Sequence, residues 1–319
     1  MTDFDEACAA ARSIADRNMQ KFVDQFKQDT ANWKLEQDDR KFLAAITTGK
    51  ISDRALLSNH RVHRCAQYAM IDAAVEAFRR NPERHWLWIT VAWDRGVTWE
   101  RAPVIDLMSL RRIIYGHLSR CRLDGCGVIE LDTWKNITGE PGRRIVAHSH
   151  FLGWPVDGQH IDIAGLANEL QQRRALPNSI SAPSVVIRPV NPAAADFARV
   201  GQYMFKRPAY AKMYRPKNDD LKSVGHAQGS VARLVEIYSR MEVGDVLFSV
   251  GEGRAIADQV RKASAQEVRY RPGDTLAPSR DDVERHWRRI RMLNGSPHFQ
   301  EPVVITRKAD RWDGVDSLR

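Results

Sequence analysis

Residues 143–154 read RRIVAHSHFLGW. This apolar run follows the turn-rich stretch NITGEPG (136–142) and predicts a buried strand. On a strand, residues i and i+2 share a face, so His148 and His150 can reach one metal ion. Upstream of the turn, GVIELDTW (127–134) alternates, with Ile129 and Leu131 on one face and Glu130 and Asp132 on the other. The two runs predict a hairpin. A turn centred near Gly139 sets Glu130 opposite His148 and Val128 opposite His150. A slip of one residue would carry Ile129 and Leu131 out of the core, so the pattern favours this parity. Glu130 thereby joins the two histidines, and Asp132, on the same face, is the reserve ligand. Two imidazoles and a carboxylate suit Mn²⁺ or Mg²⁺ when other positions are left to water and phosphate, whereas a closed zinc site wants four protein ligands.

Outward from the hairpin, WLWITVAW (86–93) predicts another strand, and Asp106 is positioned to cap a helix running through His117 and Leu118. Ile161–Arg173 has helical amphipathicity and Ser184–Val190 reads as a strand. Asn191-Pro192 suits a helix start, with that helix running to about Lys206 and stopping before Pro208. The order strand, helix, strand, strand, helix, strand, helix predicts an α+β domain over 85–216. Its expected form is an antiparallel-rich sheet with helices packed on it, the ferredoxin-like or split βαβ arrangement.

On the last of these helices Phe197, Val200 and Met204 form an apolar face, while Asp196, Arg199, Tyr203 and Lys206 form a polar stripe. Tyr203 is thus available as a nucleophile, with Lys206 as its i+3 neighbour. Tyr210 and Tyr214 are rivals beyond Pro208. A His pair on a strand and a Tyr–Lys pair on a following helix suit metal-assisted attack of tyrosine on a phosphodiester of single-stranded DNA.

The flanks read differently. Residues 1–84 predict an accessory helical region, with Phe22, Phe26 and Trp33 at helical spacing and a break at Asn81-Pro82. Residues 217–319 predict a mostly helical, basic region, helical at Val231–Met241 and Arg280–Leu293. Arg285, Trp287, Arg288 and Arg289 on that last helix are candidates for gripping phosphate and stacking on a base. Lys and Arg outnumber Asp and Glu by 49 to 40 over 319 residues, which favours an anionic partner. The four cysteines are too few and too irregular for a disulfide framework. His60, His63 and Cys65 have no evident fourth zinc ligand. With no signal peptide and no membrane-length apolar run, the expectation is a cytoplasmic protein without a membrane partner.

In this order and on these elements the motifs resemble those of the HUH endonucleases, and most closely the single-tyrosine initiators of rolling-circle replication. The resemblance covers 85–216: WLWITVAWD as the first-motif strand, GVIELD as the acidic strand, VAHSHFL as the HUH strand and QYMFKRP as the tyrosine helix. It implies the HUH fold, metal ligands His148 and His150 with Glu130 as the third, and catalytic roles for Tyr203 and Lys206. It also implies nicking and joining of single-stranded DNA at a replication origin through a 5′-phosphotyrosine, leaving a 3′-OH primer. Host helicase and polymerase are further partners in that setting. Ser149 departs from the usual hydrophobic residue between the histidines, and the stretch between Glu130 and His148 is longer than usual. A relaxase or transposase of the same superfamily is the alternative within this chemistry, although the tyrosine of relaxases usually precedes the His motif. A non-catalytic DNA-binding regulator on the same scaffold is the alternative outside it.

Overall fold

The computed structural model describes residues 2–137, 142–156, 162–172, 184–215, 220–294 and 301–306. The helices are α1 (Asp3–Thr30), α2 (Gln37–Thr47), α3 (His60–Arg80), α4 (Leu107–Arg120), α5 (Ile163–Gln172), α6 (Ala194–Tyr203), α7 (Ser230–Tyr238), α8 (Val243–Val246), α9 (Arg254–Glu267) and α10 (Arg280–Asn294). The strands are β1 (Ile51–Ser52), β2 (Leu87–Trp99), β3 (Val104–Asp106), β4 (Leu123–Lys135), β5 (Arg143–Pro155), β6 (Val185–Pro189), β7 (Ala211–Arg215), β8 (Asp220–Val224), β9 (Leu247–Val250), β10 (Thr275–Leu276) and β11 (Val304–Thr306). The architecture is mixed α and β around one curled sheet.

Helix ends follow local chemistry. Thr2 and Asp5 form a reciprocal capping box at the start of α1. The side chain of Asn59 accepts from the amides of Arg61 and Val62 at the start of α3, and Asp106 accepts from Ser109 at the start of α4. The Asp106 cap and the helix behind it match the sequence expectation. The Asn191-Pro192 start does not. Asn191 donates instead to the Asp196 carboxylate, and α6 begins at Ala194.

Among the described residues the sheet has seven strands, ordered β6-β2-β5-β4-β7-β8, with β9 also pairing on β4. The β4–β5 hairpin carries the anticipated register, Glu130 opposite His148 and Val128 opposite His150. Strand β2 runs antiparallel to β5, placing Thr90 opposite His150 and Ala92 opposite His148. A bulge between Ala92 and Val97 then shifts the register, so Val97 and Trp99 return to the face held by Thr90 and Ala92. The start of β4 pairs antiparallel with β9 and its end pairs parallel with β7. At Gly127 an added β-carbon would stand 2.4 Å from the His150 carbonyl oxygen and 2.5 Å from the Phe248 ring, so glycine allows the close approach of β9.

Strand β7, at the end of the expected 85–216 domain, and β8, β9 and α9, in the tail expected to be mostly helical, go beyond the sequence reading. Strand β9 is only LFSV, too short for alternation to register. Helix α9 is largely polar and buries only Ile256, Ala257, Val260 and Ser264. One apolar cluster runs from α1 and α3 through the sheet to α7, α9 and α10. Helix α3 packs on α6 and α9, and α1 packs on α6. Each fully buried large apolar side chain in such a core contributes about 1.5–3 kcal/mol. Among the described residues no helix is long and apolar enough to cross a membrane.

Candidate metal centre

The alternation of β4 and β5 puts Glu130, Asp132, His148 and His150 on one face, all buried. Ser149 points to the other face, where the Trp93 indole donates to its hydroxyl at 3.1 Å and stacks on His117 of α4. A small polar residue between the histidines is therefore satisfied by a partner in the opposite layer.

One ligand atom each from Glu130, His148 and His150 lies within 4.8 Å of the others, a group that can hold a metal ion. Nε2 of His148 is 3.1 Å from Nε2 of His150, and Oε2 of Glu130 is 3.2 Å from the latter and 3.6 Å from the former. That oxygen is buried and, among the described residues, has no hydrogen-bond partner. Lone pairs converging this closely in a buried place fit a divalent cation between them. Asp132 stands back, with Oδ2 3.9 Å from His148 Nε2, and is not part of the tight group.

Two of the three candidate ligands are oriented by neighbours. The Thr90 hydroxyl lies 2.9 Å from Nδ1 of His150, and Trp88 stacks on the same imidazole at 5.0 Å between centroids. The other carboxylate oxygen of Glu130 accepts from the backbone N–H of Lys206 at 2.8 Å. Burial acts to raise the Glu130 carboxyl, but the facing imidazoles and the Lys206 ammonium outweigh it and hold the group below the usual carboxylate range. Burial lowers His150 to about 4, against the pull of Glu130, so its imidazole is neutral and available as a ligand at neutral pH.

Tyr203 is the last residue of α6, 44% exposed, with its ring edge-on to His150 at 5.5 Å and to Trp88 at 6.1 Å. Lys206 is not on the helix, as its i+3 spacing suggested. The helix stops at Tyr203, and Phe205 adopts a left-handed conformation (φ 64°) that a non-glycine residue holds only when its surroundings fix it. Phe205 is buried edge-on to His63, and the reversal brings the Lys206 ammonium over the Tyr203 ring at 4.1 Å and within 3.9 Å of Glu130 Oε2. Burial acts to lower the Lys206 pKa, but Asp132, Glu130 and Tyr203 outweigh it, so the lysine stays charged.

Of the rival tyrosines, Tyr210 accepts a hydrogen bond from Lys21 on α1 at 3.2 Å, and the side chain of Tyr214 lies outside the described residues. The arginine–tryptophan grip expected on α10 is corrected. Trp287 is 0% exposed, packs edge-on to Trp33 and Phe42, and donates to Ser239. Arg289 is engaged by Asp39 and Glu36, and Arg285 by Asp282, while Arg288 is exposed. The indole cannot stack on a base, and two of the three cations are already neutralised by carboxylates.

Sequence reasoning missed Trp88 and Thr90, although they alternate with Ala92 within WLWITVAW. Their strand joins β5 from across the fold, and nothing local fixes that pairing. Comparison with protein-family models, with curated proteins and with solved structures finds no match to this chain.

Proposed function

We propose that this chain initiates rolling-circle replication by metal-dependent, tyrosine-mediated nicking and joining of single-stranded DNA at a replicon origin. The observation that carries the reading is the convergence of Glu130, His148 and His150 beside an exposed Tyr203 whose ring lies under the Lys206 ammonium. The strand order β6-β2-β5-β4, with α4 and α5 in the two crossovers, is the 4-1-3-2 order of a ferredoxin-like βαββαβ unit and supports the HUH reading of the fold.

Glu130, His148 and His150 would hold Mn²⁺ or Mg²⁺, which supplies polarisation of a phosphoryl oxygen. Tyr203, at the rim of the buried cluster, is reachable by a phosphodiester. Its oxygen attacks phosphorus, the phenolic proton passing to solvent. Lys206 stabilises the developing phenolate and the phosphate charge. The bond from phosphorus to the 3′ oxygen breaks, and that oxygen takes a proton from solvent as a 3′-OH. The 5′-phosphotyrosine preserves the bond energy for rejoining.

The test is incubation with a pool of labelled single-stranded oligonucleotides and Mn²⁺, followed by denaturing electrophoresis. The expected result is a protein–DNA adduct that disappears with EDTA and in Tyr203→Phe. DNA binding without any adduct would favour a non-catalytic regulator.

A further inference from the structure

The metal face of the sheet continues past the cluster, away from Tyr203. Along β5 the same face carries Val146 and Arg144, along β4 it carries Trp134, and beyond the β2 bulge it carries Val97 and Trp99. Trp134, Arg144 and Trp99 are register partners across three adjacent strands. Val146 and Ile137 form a small buried cluster of their own, separate from the main core, roofed by half-buried Ala92, Val97 and Trp134. Trp99 is 45% exposed, the Arg144 guanidinium lies over its ring, and exposed Arg101 lies 5.7 Å from the same centroid. Arg144 itself is buried, whereas half-buried Lys212, opposite Trp134 on β7 and donating to Ser223, adds a second accessible cation beside Arg101 on this side.

We infer that this aromatic and basic row is the subsite for the nucleotides on the 3′-OH side of the nick, an inference that rests on the nicking reading. The chemistry of the row fits single-stranded nucleic acid, because aromatic rings accept any base and the exposed Arg101 and half-buried Lys212 meet the backbone, while buried Arg144 backs the Trp99 ring. The direction follows from in-line displacement, in which the nucleophile and the leaving oxygen stand on opposite sides of phosphorus. Tyr203 flanks the cluster at its Trp88 and His150 end. The leaving 3′ oxygen therefore departs towards His148 and Asp132, and the strand it belongs to runs on over Trp134 and Trp99. From His148 to Arg144 is four residues of strand, roughly 14 Å, a distance that spans a few nucleotides of an extended strand. Bound there, the 3′-OH strand stays beside the phosphotyrosine, which is what rejoining needs.

The experiment uses the full chain and an oligonucleotide recovered from the adduct, labelled on the 3′-OH side, with Trp99→Ala, Trp134→Ala and the aromatic variants Trp99→Phe and Trp134→Phe. After nicking in Mn²⁺, the wild type is expected to release the 3′-OH fragment slowly and to rejoin it when the reaction is chased. The alanine variants should still form the adduct but release the fragment about tenfold faster or more, with rejoining lost in proportion. The phenylalanine variants should restore retention, which a folding defect in the alanine variants would not explain. Equal fragment release from wild type and Trp99→Ala, with the adduct formed by both, overturns this inference and leaves the nicking reading standing. Unchanged release of the 3′-OH fragment by Trp99→Ala, with weakened non-covalent binding of a separate labelled oligonucleotide that carries only the sequence on the 5′-phosphate side, overturns the assigned direction. A wild-type chain that forms no adduct with any oligonucleotide overturns the nicking reading and this inference together.

Discussion

Thr90 Oγ1 lies 2.9 Å from Nδ1 of His150. With Nδ1–H donating to that hydroxyl, the lone pair of Nε2 is directed at His148 and Glu130. In that tautomer the threonine positions the ring for a metal, so the hydroxyl is a test of it. Thr90→Val keeps the shape and removes the acceptor. Its Mn²⁺ affinity should fall about 10- to 100-fold, measured by calorimetry. An unchanged affinity would mean that the tautomer is set by something other than this hydroxyl.

Glu130 Oε2 is buried, has no hydrogen-bond partner among the described residues, and faces two imidazole nitrogens at 3.2 and 3.6 Å. A cation there relieves the crowding of lone pairs and binds only the folded chain. Mn²⁺ at 100 times its dissociation constant should stabilise the protein by about 2.7 kcal/mol, a rise in melting temperature that EDTA reverses. In Glu130→Gln the increment should shrink to a small fraction, since a neutral amide is a poor ligand for a hard cation. The same rise in both proteins would place the metal elsewhere.

The hairpin and the convergence of Glu130 with His148 and His150 were legible because alternation, turn chemistry and register are local: once Ile129 and Leu131 must be buried, Glu130 has to face His148. The end of α6 was not. Nothing in QYMFKRP announces that Phe205 turns left-handed, because its conformation is imposed by the pocket beside His63 on a helix more than a hundred residues upstream. The second strand of the site was found but its partner was not, since β2 meets β5 across the fold rather than through a turn. The arginines of α10 looked free because their acids, Asp39 and Glu36, lie at the other end of the chain. Long-range pairing is the common cause of each miss.

Two histidines of α3 set an acid limit on stability. Burial lowers His60 to about 3 and pushes His63 well below its ordinary value, with Arg207 adding to both. The unfolded chain protonates these residues below about pH 6.5, whereas the folded chain does not. Stability is therefore full above that pH and is lost as pH falls, at about 1.4 kcal/mol per pH unit for each such histidine. Urea unfolding with EDTA at pH 7.5, 6.5 and 5.5 should show this decline. His60→Gln and His63→Gln should each flatten it. A stability independent of pH over that range would show that these imidazoles accept protons in the folded state.

Trp287 decides between two roles for α10. As a base-stacking residue it would be replaceable without cost to the fold, and its loss would weaken DNA binding. Its indole instead meets Trp33 and Phe42 edge-on and donates to Ser239 at 2.9 Å, with no exposed surface. Trp287→Ala should cost about 3–5 kcal/mol of stability, because the cavity cannot close around three elements at once. At a temperature where the variant is still folded, its affinity for single-stranded oligonucleotides should match that of the wild type. Exposed Arg288 gives the contrasting case: Arg288→Ala should leave the melting temperature within a degree or so of the wild type, as surface changes away from paired groups do. If Trp287→Ala folds as well as the wild type yet binds DNA more weakly, the indole is a contact residue and α10 must open to expose it.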